Sequence, residues 1–263
     1  MSLLASTRHK FIDYIAPRDY MGVAKASRIF SALLKEEDFD AVVSTGAAVA
    51  LASHLPARRR GARTIYIESV SRFDGPSLTG RILQRVPHIE RYAQHSGYNV
   101  SRWRQEFSVL DTYAADATWQ HDGVPRSIFV TLGTIHPYRF DRLVDRLVEI
   151  APTNTEFVWQ LGSTIRDDLP GTVHNEMSAA QFEAAALGSE LVVTHAGVGT
   201  IMGLLDVRRP TLVVPRRRSF KEHVDDHQLQ ITREVSSRGL AIASEADQID
   251  IDTLTRASAT RVL

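Results

Sequence analysis

The sequence predicts an α/β protein of two Rossmann-like units, each a parallel sheet wrapped by helices, and three observations predict it. Short runs rich in Val and Ile, such as Ala41-Val42-Val43, alternate with longer segments whose apolar residues recur every three or four positions. Several of the short runs stop in a small-residue turn before a helix: Ser44-Thr45-Gly46, Leu132-Gly133-Thr134 and Ala196-Gly197-Val198-Gly199. Between the first of these and the others, Thr112 to Arg126 loses periodicity and collects Gly123 and Pro125, which sets a first domain at 1–115, a linker at 116–126 and a second domain at 127–263.

Taken in order, Met1 to Lys10 is short and polar, and Phe11 to Ile15 reads as a strand closed by Pro17. Val23, Ala26, Phe30, Leu33 and Leu34 give Met21 to Leu34 a helical stripe, ended by Glu36-Glu37-Asp38. Ala41 to Val43 is a buried strand, Ala47 to His54 an Ala-rich helix, and Ala57-Arg58-Arg59-Arg60-Gly61 a solvated turn with a membrane-surface role as its alternative. The strand Thr64 to Ile67 presents Glu68, Ser69 and Arg72 at its carboxyl end, either as a Glu–Arg pair tying the loop down or as chemistry-bearing groups. Gly75 to Gly80 is a stiff turn leading into the amphipathic Leu78 to Val86. The segment from His88 to Asp111 is dense in aromatic residues, read as core or cleft lining.

In the second domain, Ser127 to Thr131 is a strand, and the helix beyond Pro137 carries Phe140, Leu143, Val144, Leu147 and Ile150 on one face with Arg139, Asp141, Arg142, Asp145, Arg146 and Glu149 on the rest. Glu156 to Leu161 is a strand, a short strand follows near Val173, and Ala179 to Leu187 is a helix. After Leu191 to Thr194 and Thr211 to Val214, both buried strands, come the helix Leu229 to Val235, the strand Leu240 to Ala243 and the helix Ile251 to Ala257.

Bulk properties narrow the function classes. Lys plus Arg and Asp plus Glu balance at 31 each, so no global field draws in nucleic acid, and no nucleic-acid motif is present. With no cysteine there is neither a disulfide framework nor a thiolate metal site. No apolar run approaches the ~20 residues that span a bilayer. A cytoplasmic chain, at most peripheral to a membrane, is the expectation.

The stretch that carries chemistry runs from Leu191 to Gln228. A helix opening at Ala196-Gly197-Val198-Gly199-Thr200 leaves backbone N–H groups of its first turn free for an anion, phosphate above all. Pro215, Arg216 and the residues Glu222, His223, Asp226, His227 and Gln228 follow the next strand. If the two strands are parallel neighbours, both loops share one carboxyl edge, suited to a nucleotide-diphosphate sugar. The plainer alternative is a strand-turn-helix corner whose glycines serve only packing. A metal site at His223, Asp225, Asp226 and His227 is a further alternative; no DxD pair follows a strand.

His195-Ala196-Gly197-Val198-Gly199-Thr200, Pro215-Arg216, Glu222-His223 and Asp226-His227-Gln228 resemble the donor-binding half of family 28 glycosyltransferases, closest to its two-part enzymes and their bacterial exopolysaccharide counterparts of the PssD/PssE type. Val130-Thr131-Leu132-Gly133-Thr134 resembles the start of that donor half, and Tyr66-Ile67-Glu68-Ser69 with Gly75 to Gly80 resembles the acceptor half. The resemblance implies the GT-B architecture: acceptor domain first, nucleotide-sugar domain second, active site in the cleft between them. It implies donor binding by Gly133, Thr134, His195, Ala196, Gly197, Gly199, Thr200, Arg216, Glu222, His223, Asp226, His227 and Gln228, with Ser69 and Arg72 on the acceptor side, no metal and no cofactor beyond the UDP-sugar substrate.

Two departures follow. Family members usually begin with a strand and a Gly-Gly-His loop that supplies the base; this chain reaches Phe11 without one, so its first domain is expected to be incomplete, with Glu68 as substitute base. Where many relatives place a ribose-binding Glu, this chain has Gly203. The expected function is an inverting, metal-independent transfer of a sugar from a UDP-sugar to a polyprenyl-diphosphate-linked saccharide at the inner membrane face. The alternative is a catalytically deficient nucleotide-sugar-binding or scaffold protein needing a partner chain. A UDP-sugar epimerase shares the architecture but finds no support in the acceptor-half stretch.

Overall fold

The computed structural model describes residues 8–16, 18–98, 101–224, 226 and 228–263. The chain forms two compact units that meet at Val109 and Leu110 in sequence.

Unit one is a three-stranded parallel sheet in the order β1-β2-β3, with β1 at Ala41–Ser44, β2 at Arg63–Ile67 and β3 at Ile89–Tyr92. Its helices are α1 (Tyr20–Glu36), α2 (Val49–Arg59) and α3 (Leu78–Leu83). Asp19 starts α1 by accepting the Gly22 N–H at 2.8 Å, and Ser77 does the same for Gly80 at the start of α3. The aromatic-dense segment is core: Tyr66, Tyr98 and Trp103 pack edge to face with Leu83, Ile89 and Ala93. It also contains β3, which aromatic density hides from a reading by alternation. Phe11 to Ile15 forms no strand, and Phe11 is 78% exposed. A strand needs a ladder partner, and β1 pairs with β2 alone among the described strands.

Unit two is a six-stranded parallel sheet, β6-β5-β4-β7-β8-β9, formed by Ser127–Thr131 (β4), Glu156–Gln160 (β5), Thr172–His174 (β6), Leu191–His195 (β7), Thr211–Val214 (β8) and Ile242–Ala243 (β9). Helices α4 (Asp141–Ile150), α5 (Ala179–Gly188), α6 (Val198–Asp206), α7 (Gln228–Ser237) and α8 (Ile251–Ser258) alternate with the strands except between β5 and β6. One face of the sheet packs Ile128, Val130, Trp159 and Val193 against Leu143, Val144 and Leu147 of α4; the other packs Phe129 and Val192 against Ala186 and Leu204. Every residue of β7 and β8 is buried, which is why both read as unbroken apolar runs.

Residues 116–126, expected as a linker, pack onto this unit. Arg261 donates to the Asp116 carboxylate at 2.8 and 3.1 Å and stacks 3.9 Å from the Trp119 ring centroid, and the Trp119 indole N–H bonds the Ser258 carbonyl at 2.8 Å. The Thr118 hydroxyl first, and then Arg261, hold the Asp116 carboxyl down at about 2.

Candidate functional site

The strand order of unit two reverses at β4. The chain runs outward through β5 and β6, then returns to lay β7 on the other side of β4. The crevice at the carboxyl ends of β4 and β7 is therefore a topological switch point, where the loops of two diverging crossovers leave a gap. The parallel pairing of β7 with β8 brings the loop after Val214 to the same edge.

His195 is the last residue of β7 and lies buried at this carboxyl edge. Its Nδ1 lies 3.4 Å from the Thr131 carbonyl oxygen, and the residue is 8% exposed. Two predicted site glycines make room for the ring: a Cβ on Gly133 would come within 2.6 Å of His195 Nε2, and one on Gly197 within 2.3 Å. Gly133 also has φ +74°, a conformation that favours glycine. Packing thus accounts for both. Burial, then the Arg216 cation, push the His195 imidazole down to about 3, so it is neutral at pH 7.

Helix α6 begins at Val198 with Gly197 as its N-cap. The Gly197 N–H bonds the His195 carbonyl at 2.8 Å, so the first-turn donors that α6 itself does not use are those of Val198, Gly199 and Thr200. Gly199 is exposed, and a Cβ there would meet nothing within 4 Å. Ala196, between the two glycines, is buried.

Arg216 follows β8 and Pro215 and has no exposed surface. Its Nη2 donates to the Leu132 carbonyl, while Nε and Nη1 are buried without a partner. Burial pushes the guanidinium down to about 10, with the Glu222 charge opposing, so it stays a cation at neutral pH. A buried cation with two empty donors is costly unless something anionic completes it. Its backbone N–H is held by Gln228 Oε1 at 2.9 Å.

The remaining predicted residues divide. Thr134 is exposed on the loop after β4, which Ser163 ties down by donating to the Ile135 carbonyl at 3.0 Å. Glu222 does not face open space: it is 4% exposed and engaged by Arg142 through both oxygens at 3.0 and 3.1 Å. Asp226 accepts the Arg218 N–H at 3.1 Å, and His223 lies with its ring centroid 6.1 Å from that of Tyr138. His227 lies outside the described residues. Arg142 is the residue that sequence reasoning missed; helical periodicity puts it on a polar face and says nothing of what that face meets.

In unit one, Glu68 is 2% exposed and accepts from the Tyr66 hydroxyl at 3.0 Å, the Ser69 N–H at 3.2 Å, the Ser77 N–H at 2.9 Å and the Ser77 hydroxyl at 3.0 Å. It pins the 75–80 turn, and its partners do not include the Arg72 that a loop-tying pair would need. A Cβ on Gly80 would come within 2.4 Å of its Oε2. The Ser69 hydroxyl pairs with Ser71 at 2.9 Å, and Arg72 is exposed.

Unit two is a doubly wound α/β sheet with the start of α6 and a buried arginine at its switch point. Residues 127–257 match the family model of the glycosyltransferase family 28 C-terminal domain. Among curated proteins, the chain is 24% identical to the UDP-N-acetylglucosamine–N-acetylmuramyl-(pentapeptide) pyrophosphoryl-undecaprenol N-acetylglucosamine transferase of Chlorobium phaeobacteroides, over 90% of this chain and 69% of that one. It is 24% identical to the same-named protein of Chlorobium luteolum, over 84% of this chain and 63% of that one. Solved structures include MurG of Acinetobacter baumannii, with TM-score 0.54 and 18% identity over 94% of this chain and 72% of that one. The UDP-GlcNAc 2-epimerase of Methanocaldococcus jannaschii gives TM-score 0.56 and 13% identity over 95% and 78%. The fold class is α/β of the GT-B kind, and the fold is common to a transferase and an epimerase.

Proposed function

We propose that the protein is a glycosyltransferase that moves a sugar from a UDP-sugar to a polyprenyl-diphosphate-linked saccharide, by inversion and without a metal. The observation that carries this reading is Arg216: buried, cationic, with two donors unused at the family-matched switch point. In such a transfer an acceptor hydroxyl attacks the anomeric carbon and gives its proton to a base or to water, while the carbon–oxygen bond to the diphosphate breaks and its electron pair leaves on the diphosphate. Fixed donors aimed at that growing charge stabilise the transition state directly. Arg216 and the first-turn N–H groups of α6 supply such donors from the protein itself. The lipid-linked acceptor is supported by the names of the relatives, both of which are pyrophosphoryl-undecaprenol transferases. Peripheral membrane association agrees with that acceptor, and no helix among the described residues is long and apolar enough to cross a membrane. The test is calorimetry with UDP-GlcNAc, UDP-glucose, UDP-galactose and UDP-glucuronate, followed by UDP release with a polyprenyl-diphosphate saccharide present. Binding of one UDP-sugar with acceptor-dependent release supports the proposal; absence of binding to all four defeats it.

A second reading, nucleotide-sugar binding without transfer, is favoured by one observation. Glu68, the base expected from sequence, already accepts four hydrogen bonds and is buried. Tight UDP-sugar binding with no release in the presence of acceptor, together with melting of Glu68→Gln well below the wild type, would select this reading.

A further inference from the structure

Arg142 leaves the polar face of α4 to reach the loop between β8 and α7. Its Nε and Nη2 donate to the two oxygens of Glu222 at 3.0 and 3.1 Å, its Nη1 donates to Asp247 at 3.2 Å, and its guanidinium carbon lies 4.2 Å from the Phe220 ring centroid. Glu222 Oε2 also accepts the Arg217 N–H at 3.0 Å, so this buried carboxylate is held against the backbone of the residue next to Arg216. Burial lowers the pKa of Arg216 and the charge of Glu222 works against it, so the field of this carboxylate reaches that guanidinium. A buried carboxylate robbed of its partner turns to the nearest other cation, because leaving it unpaired is costly. Arg216, whose Nε and Nη1 have no hydrogen-bond partner, is a cation within the field of this carboxylate.

We propose that Arg142 is a positioning residue for the anion site: by occupying both oxygens of Glu222 it keeps that carboxylate off Arg216 and leaves two guanidinium nitrogens open for a diphosphate. The inference rests on the reading of unit two as a nucleotide-sugar domain and adds to it a residue that the sequence resemblance did not name. It differs from a plain brace, in which Arg142 and Glu222 together stiffen the loop. Under the brace, removing the Glu222 charge as well can restore stability but leaves the loop untied and binding weak; under the proposal binding returns.

The full chain is titrated by calorimetry with UDP and, separately, with inorganic pyrophosphate, as wild type, Arg142→Met, Arg142→Lys and the double variant Arg142→Met with Glu222→Gln. Arg142→Met is expected to weaken both ligands by about tenfold or more, as truncating one partner of a buried charge pair does. Arg142→Lys keeps a cation at the carboxylate but loses the two-point fork and the stacking on Phe220, so it falls between wild type and Arg142→Met. The double variant returns to within about threefold, because no carboxylate is left to claim Arg216. Unchanged binding in Arg142→Met, or a double variant as weak as the single one, overturns the inference. Should Arg142→Met not fold, the double variant decides alone: it folds and binds like the wild type, or the inference fails. If the wild type binds pyrophosphate but not UDP, the nucleotide-sugar reading falls while the role of Arg142 is still read on pyrophosphate; binding of neither overturns both.

Discussion

Replacing Arg216 by methionine separates a functional arginine from a structural one, because the two predict opposite changes in stability. Arg216 has no exposed surface, and its pKa is lowered to about 10 from an ordinary 12.5. At ~1.4 kcal/mol per pKa unit, keeping this charge buried costs about 3 kcal/mol in the empty protein. Methionine has a similar unbranched stem and removes that cost, but it leaves the Leu132 carbonyl without its donor, a loss of ~1–3 kcal/mol. The net effect on the ligand-free protein is therefore between no change and a gain of about 2 kcal/mol, or up to several degrees in Tm for a unit of this size. Binding should move the other way. Loss of a contact to a charged group costs ~1.5–3 kcal/mol, so UDP affinity falls by roughly 10- to 150-fold. The assay is thermal melting with and without UDP at 100 times the wild-type Kd, which raises wild-type stability by about 2.7 kcal/mol. Arg216→Met should melt at or above the wild type without ligand and gain only about 0.3–1.4 kcal/mol from the same UDP. A ligand-free Tm more than about 5 °C below wild type, or a full UDP-induced rise, would refute the reasoning.

Further outcomes follow from the same geometry. Gly199→Val should leave Tm within about 2 °C of wild type, since its Cβ meets nothing within 4 Å, yet weaken UDP binding by crowding the first turn of α6; Gly197→Ala, whose Cβ would lie 2.3 Å from His195 Nε2, should instead destabilise by ~1–3 kcal/mol in urea melts. The folded-state pKa of His195 lies at about 3, below the unfolded value near 6.5, so stability is full above pH 6.5 and is lost as pH falls toward 3. That amounts to about 1.4 kcal/mol at pH 5.5, where buried His54, lowered in the same direction by desolvation, adds to it; equal urea midpoints at pH 7.5 and 5.5 would contradict this. A fragment beginning at Leu110 should melt about 5 °C or more above one beginning at Ser127, because residues 116–126 carry the Trp119 and Asp116 contacts to Ser258 and Arg261.

The sequence by itself determined the strand and helix alternation of unit two nearly element by element. Strands β7 and β8 are buried on both faces and so stand out as apolar runs, and α4 has one buried stripe, so its period is visible. It also determined which two loops meet, because His195-Ala196-Gly197 and Pro215-Arg216 each end a parallel strand. What local pattern could not carry was decided by contacts between residues far apart in the chain. Phe11 to Ile15 has strand composition but finds no ladder partner, and β3 pairs by register with β2 although its residues show no alternation. Residues 116–126 look like a linker because their partners, Arg261 and Ser258, lie more than a hundred positions away. The same distance effect redistributed the polar groups. Glu222 and Glu68 look in sequence like free carboxylates at strand ends, but Arg142 and the Tyr66–Ser77 cluster satisfy them, since a buried carboxylate must be paired or hydrogen-bonded. Arg216, which in sequence is one of three consecutive arginines, is the cation that burial leaves incomplete.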